Sequence, residues 1–216
     1  MFTFASVASK ALAIIKNIMR RSVTLVVITF FMVNLAYAEL IDGYYINLKN
    51  DTIRIKMQIP LNIFHTIPLY QKLQKKIVYY DSLGKKLILK PKQAIEVNFN
   101  FNNQRVRMIS LIYSFPNIGH GGYPINSFIK IIIDGNLKLF ANYVREYSPS
   151  GSQILEIFLL QKGTGDFFRT DWIFFKKTMS EYFSNCPVLQ QKIIDKTFKA
   201  NDILQIVQFY NANCGM

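Results

Sequence analysis

The chain has 216 residues, half of them hydrophobic, 14% aromatic and 18% charged. That length and apolar content suit one folded domain with a small appendage and exclude a globally disordered chain. Two cysteines exclude a disulfide-dense scaffold, two histidines leave little for a histidine-rich metal site, and 26 basic against 13 acidic side chains give a net charge of +13.

The first segment carries an address. Lys16, Arg20 and Arg21 precede an apolar run from Val23 to Leu35, and Ala36-Tyr37-Ala38 and Glu39 follow. A basic stretch, a short apolar core and an A-x-A site predict a secretory signal peptide over 1–38, cut after Ala38. The apolar run is short for a membrane span, which needs about 20 residues. An uncleaved inner-membrane anchor presenting the same exported domain is the rival reading. Met19, directly before Arg20-Arg21, is read as the start of the functional signal, or residues 1–18 as a helical extension. Glu39 in place of a cysteine leaves no acceptor for lipid attachment. Residues 39–216 keep 22 basic and 13 acidic side chains. Such a surface draws anionic partners, although in a lysine-rich protein the ordinary role of this charge is solubility.

From Gly43 to about Lys162 the pattern is that of strands. Tyr44–Lys49 and Ile53–Gln58 alternate around Asn50-Asp51, which reads as a tight hairpin turn. The stretch around His65 and Pro68 reads as a connection. Lys76–Tyr80 and Lys86–Lys90 flank a turn at 81–84. In Ile95–Phe101, Ile95, Val97, Phe99 and Phe101 are expected to face one way, and Glu96, Asn98 and Asn100 the other. Asn102-Asn103 turns the chain into Arg105–Tyr113, and 115–124, with its prolines and glycines, reads as a loop. Ser127–Ile133, Asp134-Gly135 and Asn136–Tyr147 form a hairpin whose Asp-Gly suits a type I′ turn. After Ser148–Gly151 comes a strand at Gln153–Gln161. Connections this short make an antiparallel meander.

Beyond 162–166, read as a strand-to-helix connection, the period changes. Trp172, Phe175, Met179, Tyr182 and Phe183 fall at helical spacing, with Asp171 or Thr170 as the cap. Pro187 suits the first turn of a second helix to Phe198, with Leu189, Ile193 and Thr197 marking its buried side. Asn201 can cap a third over Asp202–Asn211, with Ile203, Val207 and Tyr210 inward. The expected fold is α+β: an antiparallel β-sheet or open barrel over 39–165, then about three helices over 166–216 packed on it. Cys186 opens the second helix and Cys214 follows the third. Antiparallel packing of those helices brings the two together, and in an oxidising compartment that predicts a disulfide. Two free thiols are the alternative. A redox pair is not indicated, because no C-x-x-C is present.

Few motifs carry chemistry. Gly119-His120-Gly121-Gly122 resembles an oxyanion loop, but no G-x-S-x-G elbow accompanies it. Gly163-Thr164-Gly165 lacks the spacing of a phosphate loop. His65 and His120 have no ligand partners at zinc spacing, so no metal or other cofactor is expected. Glu96, Glu146 and Glu156 on strands offer carboxylates for glycoside hydrolysis, without singling out a pair. The densest basic region holds Lys72, Lys75, Lys76, Lys85 and Lys86, with Tyr70, Tyr79 and Tyr80 among them. In an exported protein this is not a nucleic-acid face. It is either a solvated strand surface or a surface for anionic envelope glycans, lipids or acidic proteins.

Four stretches also resemble one group of proteins: GYYINLKNDTIRIKM, KKIVYYDSLGKKLILKPKQAIEV, IKIIIDGNLKLF and NCPVLQQKIIDKTFKANDILQIVQFYN. Together they are similar to uncharacterised secreted proteins of Bacteroidetes-type bacteria. The shared pattern is an early G-Y-I … D-T hairpin, a D-G-x-L-x-L-Y strand, a D-C-P-x-L helix start and a terminal Y-N. Asn185 and Phe140 depart from it. The resemblance spans most of 43–211 and implies location and architecture, with no activity attached. The combined expectation is a secreted or periplasmic, non-enzymatic envelope or surface binding protein, with a carboxylate hydrolase of envelope polymers as the alternative.

Overall fold

The structure, a computed structural model, describes residues 38–114, 124–149, 151–170 and 174–215. The expectations for the targeting segment up to Tyr37, for the His120 loop and for Asp171 and Trp172 lie outside the described residues. One compact unit comprises 38–60 and 68–216, whereas Leu61–Ile67 belongs to a second. Within Leu61–Ile67, Asn62 Oδ1 accepts the backbone N–H groups of Thr66 at 2.8 Å and Ile67 at 3.2 Å.

The larger unit is built on ten antiparallel strands. They are β1 (Ala38–Asn47), β2 (Thr52–Pro60), β3 (Ile77–Tyr80), β4 (Lys86–Leu89), β5 (Ala94–Phe101), β6 (Gln104–Ser114), β7 (Pro124–Ile133), β8 (Leu137–Ser148), β9 (Gly151–Lys162) and β10 (Phe167–Arg169). Their order is β10-β9-β8-β7-β6-β5-β1-β2-β3-β4, so β10 and β4 are the two edges and the sheet is open. A short helix, α1 (Tyr70–Leu73), links β2 to β3. After the sheet come α2 (Phe175–Tyr182), α3 (Pro187–Ile194) and α4 (Ile203–Asn213). The expected α+β class and antiparallel hairpins are what the chain adopts, but the meander breaks once: β4 and β5 are not neighbours, and β5 pairs with β1 instead.

Alternation places Met57, Ile59, Val97, Met108 and Phe128 in the core, all essentially inaccessible to water. The sheet curls so that the segment after β4 returns to β6, where Ser110 Oγ donates to the carbonyl of Pro91 at 2.6 Å. One expectation for β5 fails. Ile95 is 39% exposed, because the register shifts opposite Asn47 and Ala94 takes the core position. Asn98 keeps to the polar face but is only 1% exposed. Its carboxamide is fixed by donation to Glu96 Oε1 at 2.9 Å and by acceptance from Arg105 at 3.1 Å.

Glu96 anchors a charged row across that face. Arg107 holds both of its carboxylate oxygens, at 2.7 and 3.1 Å, and also pairs with Asp134. Burial alone raises the Glu96 pKa, but the hydrogen bonds from Arg107 and Asn98 outweigh it and hold the carboxyl below its usual range. A carboxyl whose pKa is depressed by folding stabilises the fold above its unfolded value, about 4.3 for glutamate. That contribution is lost as pH falls through the folded value. Urea midpoints of wild type and Glu96→Gln should therefore differ at pH 7 and converge near pH 3. An equal gap at both pH values would assign the loss to packing instead.

The turns differ in detail from expectation. The first hairpin is a wider loop, in which Asn47 Oδ1 accepts from the N–H groups of Lys49 and Asp51 at 2.8 and 2.9 Å, and Asn50 takes a left-handed φ of 66°. The type I′ conformation sits at Asn102-Asn103, with φ of 50° and 61° between the paired Phe101 and Gln104. At Asp134-Gly135 neither residue is left-handed. A register shift in β7 pairs Ile133 with Leu139 and widens that loop. Gly135 is required for another reason: a Cβ there would lie 2.6 Å from the Asn211 side chain of α4. That carboxamide is pinned, accepting from Leu137 N–H at 2.7 Å and donating to the Leu137 carbonyl at 2.9 Å.

The helices cover the β8–β9 end of the sheet. Phe175, Met179, Phe183, Leu189, Ile193 and Val207 form one buried cluster with Leu137, Leu139 and Leu160. Each such fully buried side chain contributes roughly 1.5–3 kcal/mol of transfer free energy. Residues 162–166 connect β9 to the short edge strand β10 rather than to a helix, with Gly163 left-handed at φ 54°. The sheet thus extends past 165. Thr170 does not cap α2, because its N–H and hydroxyl both donate to the Phe158 carbonyl, at 3.1 and 3.2 Å. α3 stops at Ile194 because Lys196 turns left-handed, and this leaves Thr197 exposed. Asn201 lies inside a 3-10 turn, and Asp202 Oδ2 accepts from Lys199 N–H at 2.8 Å. The Cys186–Cys214 disulfide is present, with Cα atoms 5.7 Å apart, and joins the start of α3 to the end of α4.

Candidate functional site

The site arises from a split in the sheet. β7 stays paired with β6 from Pro124 to Lys130, and β8 stays paired with β9 over its full length. β7 and β8 pair with each other only from Lys130/Ala141 to Ile133/Leu139. Beyond Ala141 they separate, and a cleft of about 460 Å³ opens between them.

Gln74 fills the inner end of the split. α1 begins where the Leu69 N–H donates to the Pro60 carbonyl at 2.8 Å, and the buried Leu73 and Ile77 flank Gln74 in sequence. Gln74 is 3% exposed. Its backbone carbonyl accepts from Phe128 N–H on β7 at 2.9 Å, and its Oε1 accepts from Tyr143 N–H on β8 at 2.7 Å. Its Nε2 donates to Asn142 Oδ1, also buried. One residue therefore replaces the ladder partners that the two strands lose where they diverge.

An aromatic and charged cluster adjoins the cleft wall. Tyr70 stacks on Tyr143 at 5.3 Å, and Lys130 Nζ lies 4.4 Å from the centre of the Tyr70 ring. The Tyr143 hydroxyl donates to Glu156 Oε1 at 2.6 Å across the β8–β9 ladder. Burial, helped by the Glu156 charge, raises the Tyr70 phenol. Burial, the hydrogen bond to Glu156 and neighbouring charge raise Tyr143 far above the usual tyrosine range. Burial lowers the Lys130 ammonium against the opposing pull of Glu156. Tyr143 is thus a neutral donor to Glu156 at physiological pH.

The outer part of the cleft is basic. Lys72 and Lys75 reach it from α1 and the turn after it, and Arg145 from β8, where its guanidinium also donates to Ser152 Oγ at 2.9 Å. Tyr147, 79% exposed, lies on the same rim. No aspartate or glutamate is among the described residues lining the cleft.

Of the five lysines singled out in the sequence, the structure brings Lys72 and Lys75 to this cleft. Lys76 leads into β3, and Lys85 and Lys86 stand exposed on the β3–β4 hairpin, where edge lysines discourage strand-to-strand association. Gln74, Arg145 and Tyr147 were not legible as site residues. Their only sequence signal is position, and Arg145 lies seventy residues from Lys75. The three strand glutamates do not converge on the cleft. Glu96 is held by Arg107, Glu156 by Tyr143, and Glu146 accepts from Gln153 at 3.1 Å. A second cavity of about 370 Å³ is lined by Tyr44, Arg54, Asn98 and Arg105 together with Asp42. There Arg105 is already engaged by Tyr44 at 2.8 Å and by Asn98.

Fold and site together define an α+β protein whose open antiparallel sheet is split by a basic cleft. Compared with known proteins, the chain matches no family, no curated protein and no solved structure. Among the described residues no helix is long and apolar enough to cross a membrane.

Proposed function

We propose that this is an exported, non-catalytic envelope or surface protein that binds anionic ligands in the cleft between β7 and β8. The observation that carries the reading is three cations, Lys72, Lys75 and Arg145, converging on one cavity with no carboxylate among the described residues of its lining. Focused positive potential in a cleft draws anions from a distance and holds them once there. Export is supported by the signal pattern ending at Ala38 and by a disulfide of the kind that persists outside the cytoplasm.

The test is binding of dextran sulfate to the purified protein, followed by calorimetry at low and raised salt. Each rim ion pair contributes roughly 0.2–1 kcal/mol. Replacing Lys72, Lys75 and Arg145 by glutamine should therefore weaken binding by about 3- to 150-fold. Lys85→Gln with Lys86→Gln should leave it within about twofold. Equal losses in both variants would mean that charge is felt diffusely, and the cleft would not be the site.

A further inference from the structure

The cleft has a second property besides its charge. Its β8 wall is an open strand edge. Within a strand the N–H and C=O of one residue point to the same side, and alternate residues point alike. The Tyr143 N–H faces Gln74, away from β9. Arg145 and Tyr147 share its parity, so their backbone groups also face the cleft. Among the described residues no strand pairs with this edge.

A single residue spans the inner end of the split. Gln74 bonds to β7 on one side and β8 on the other, at 2.9 and 2.7 Å. Two strands each paired to a common middle chain lie about 10 Å apart, twice the usual spacing of 4.7–4.9 Å. Gln74 is thus a one-residue substitute for a missing strand, and its carboxamide presents to Tyr143 what a peptide carbonyl would. The slot continues outward along the same edge, past Arg145 and Tyr147.

We propose that the cleft takes an extended acidic polypeptide segment as an added strand on β8. Its backbone pairs with Arg145 and Tyr147, and its carboxylates face Lys72, Lys75 and Arg145. This deepens the anion-binding reading and rests on it. Charge selects the partner: among the described residues the lining offers three cations and no acid. Strand addition supplies main-chain hydrogen bonds, and alternate side chains supply specificity. The exposed Tyr147 ring gives the rim the aromatic anchor common at protein interfaces. A polysaccharide would use the cations and leave the β8 amides unpaired.

The experiment uses the full protein and a synthetic peptide alternating glutamate with valine, about seven residues long, to match a typical strand. Amide exchange at Arg145 and Tyr147 should slow by about tenfold or more when the peptide binds. The variant Tyr147→Pro removes one edge N–H that the β8–β9 ladder does not use. It should lose about tenfold or more in peptide affinity, a larger factor than its loss for dextran sulfate. Tyr147→Ala, which keeps the N–H, separates the loss of the ring from the loss of the donor. Peptide binding that survives in Tyr147→Pro and leaves both amides unprotected would overturn strand addition while sparing the anion cleft. Failure of both peptide and dextran sulfate to bind would remove both readings.

Discussion

Replacing both Cys186 and Cys214 by alanine lowers the stability of the fold by about 3.5 kcal/mol, the chain-entropy value for a closed loop of this size. The bridged residues are 28 apart in sequence, and the loop contains α3, the 3-10 turn after it and α4. Without the bond the unfolded chain regains the freedom of that loop, while the native contacts survive. The Asn211 clamp on Leu137 remains, and so does the donation from Asn136 to the Gly215 carbonyl. Cys186 is itself buried in the helical cluster, and alanine keeps that position apolar. For a chain of this length the loss corresponds to a drop in Tm of roughly 10 °C. Urea unfolding of wild type, of wild type with reductant, and of the double variant checks it. The last two should coincide. A loss below about 1 kcal/mol would show that the helices are held by packing alone. Protein recovered from an envelope fraction should have both thiols protected from alkylation until reduced.

Much of this architecture is written in local pattern. The hairpins of β1–β2, β3–β4, β5–β6, β7–β8 and β8–β9 follow from period-two stretches separated by turn residues, and the apolar stripes of α2–α4 follow from helical spacing. Short elements escape such reading. Tyr70–Leu73 is a single helical turn and Phe167–Arg169 a three-residue strand, and neither is long enough to display a period. The end of α3 escaped because Lys196, not glycine, takes the left-handed position there. The turn at Asp134-Gly135 misled because glycine serves two purposes, positive φ and close approach. The approaching group, Asn211, lies at the far end of the chain. The cleft is a long-range object of the same kind. Lysine density marked Lys72 and Lys75, but only the divergence of β7 from β8 gives them Arg145 as a neighbour.

Gln74→Ala should be the most damaging single polar substitution in the sheet. It leaves the Tyr143 N–H without its acceptor and Asn142 Oδ1 without its donor. Leaving a buried polar group unsatisfied costs about 1–3 kcal/mol. Two such groups predict a loss of roughly 2–5 kcal/mol, with no change in any core side chain. The Phe128 N–H is spared, because its acceptor is the Gln74 backbone carbonyl. Amide exchange therefore separates this account from general loosening: Tyr143 should lose protection well before Phe128 does. Equal acceleration at both would mean that α1 has undocked as a unit. Gln74→Glu sharpens the test. A neutral glutamic acid can accept from Tyr143 and donate to Asn142 as glutamine does, but a buried carboxylate is desolvated and cannot donate. Burial raises the folded pKa of that carboxyl above its unfolded value, so its stabilisation is present at low pH and lost as pH rises through the folded pKa. The variant should approach wild-type stability near pH 4 and fall behind it by pH 7. That opposes the direction expected for Glu96, whose carboxylate is the stabilising form.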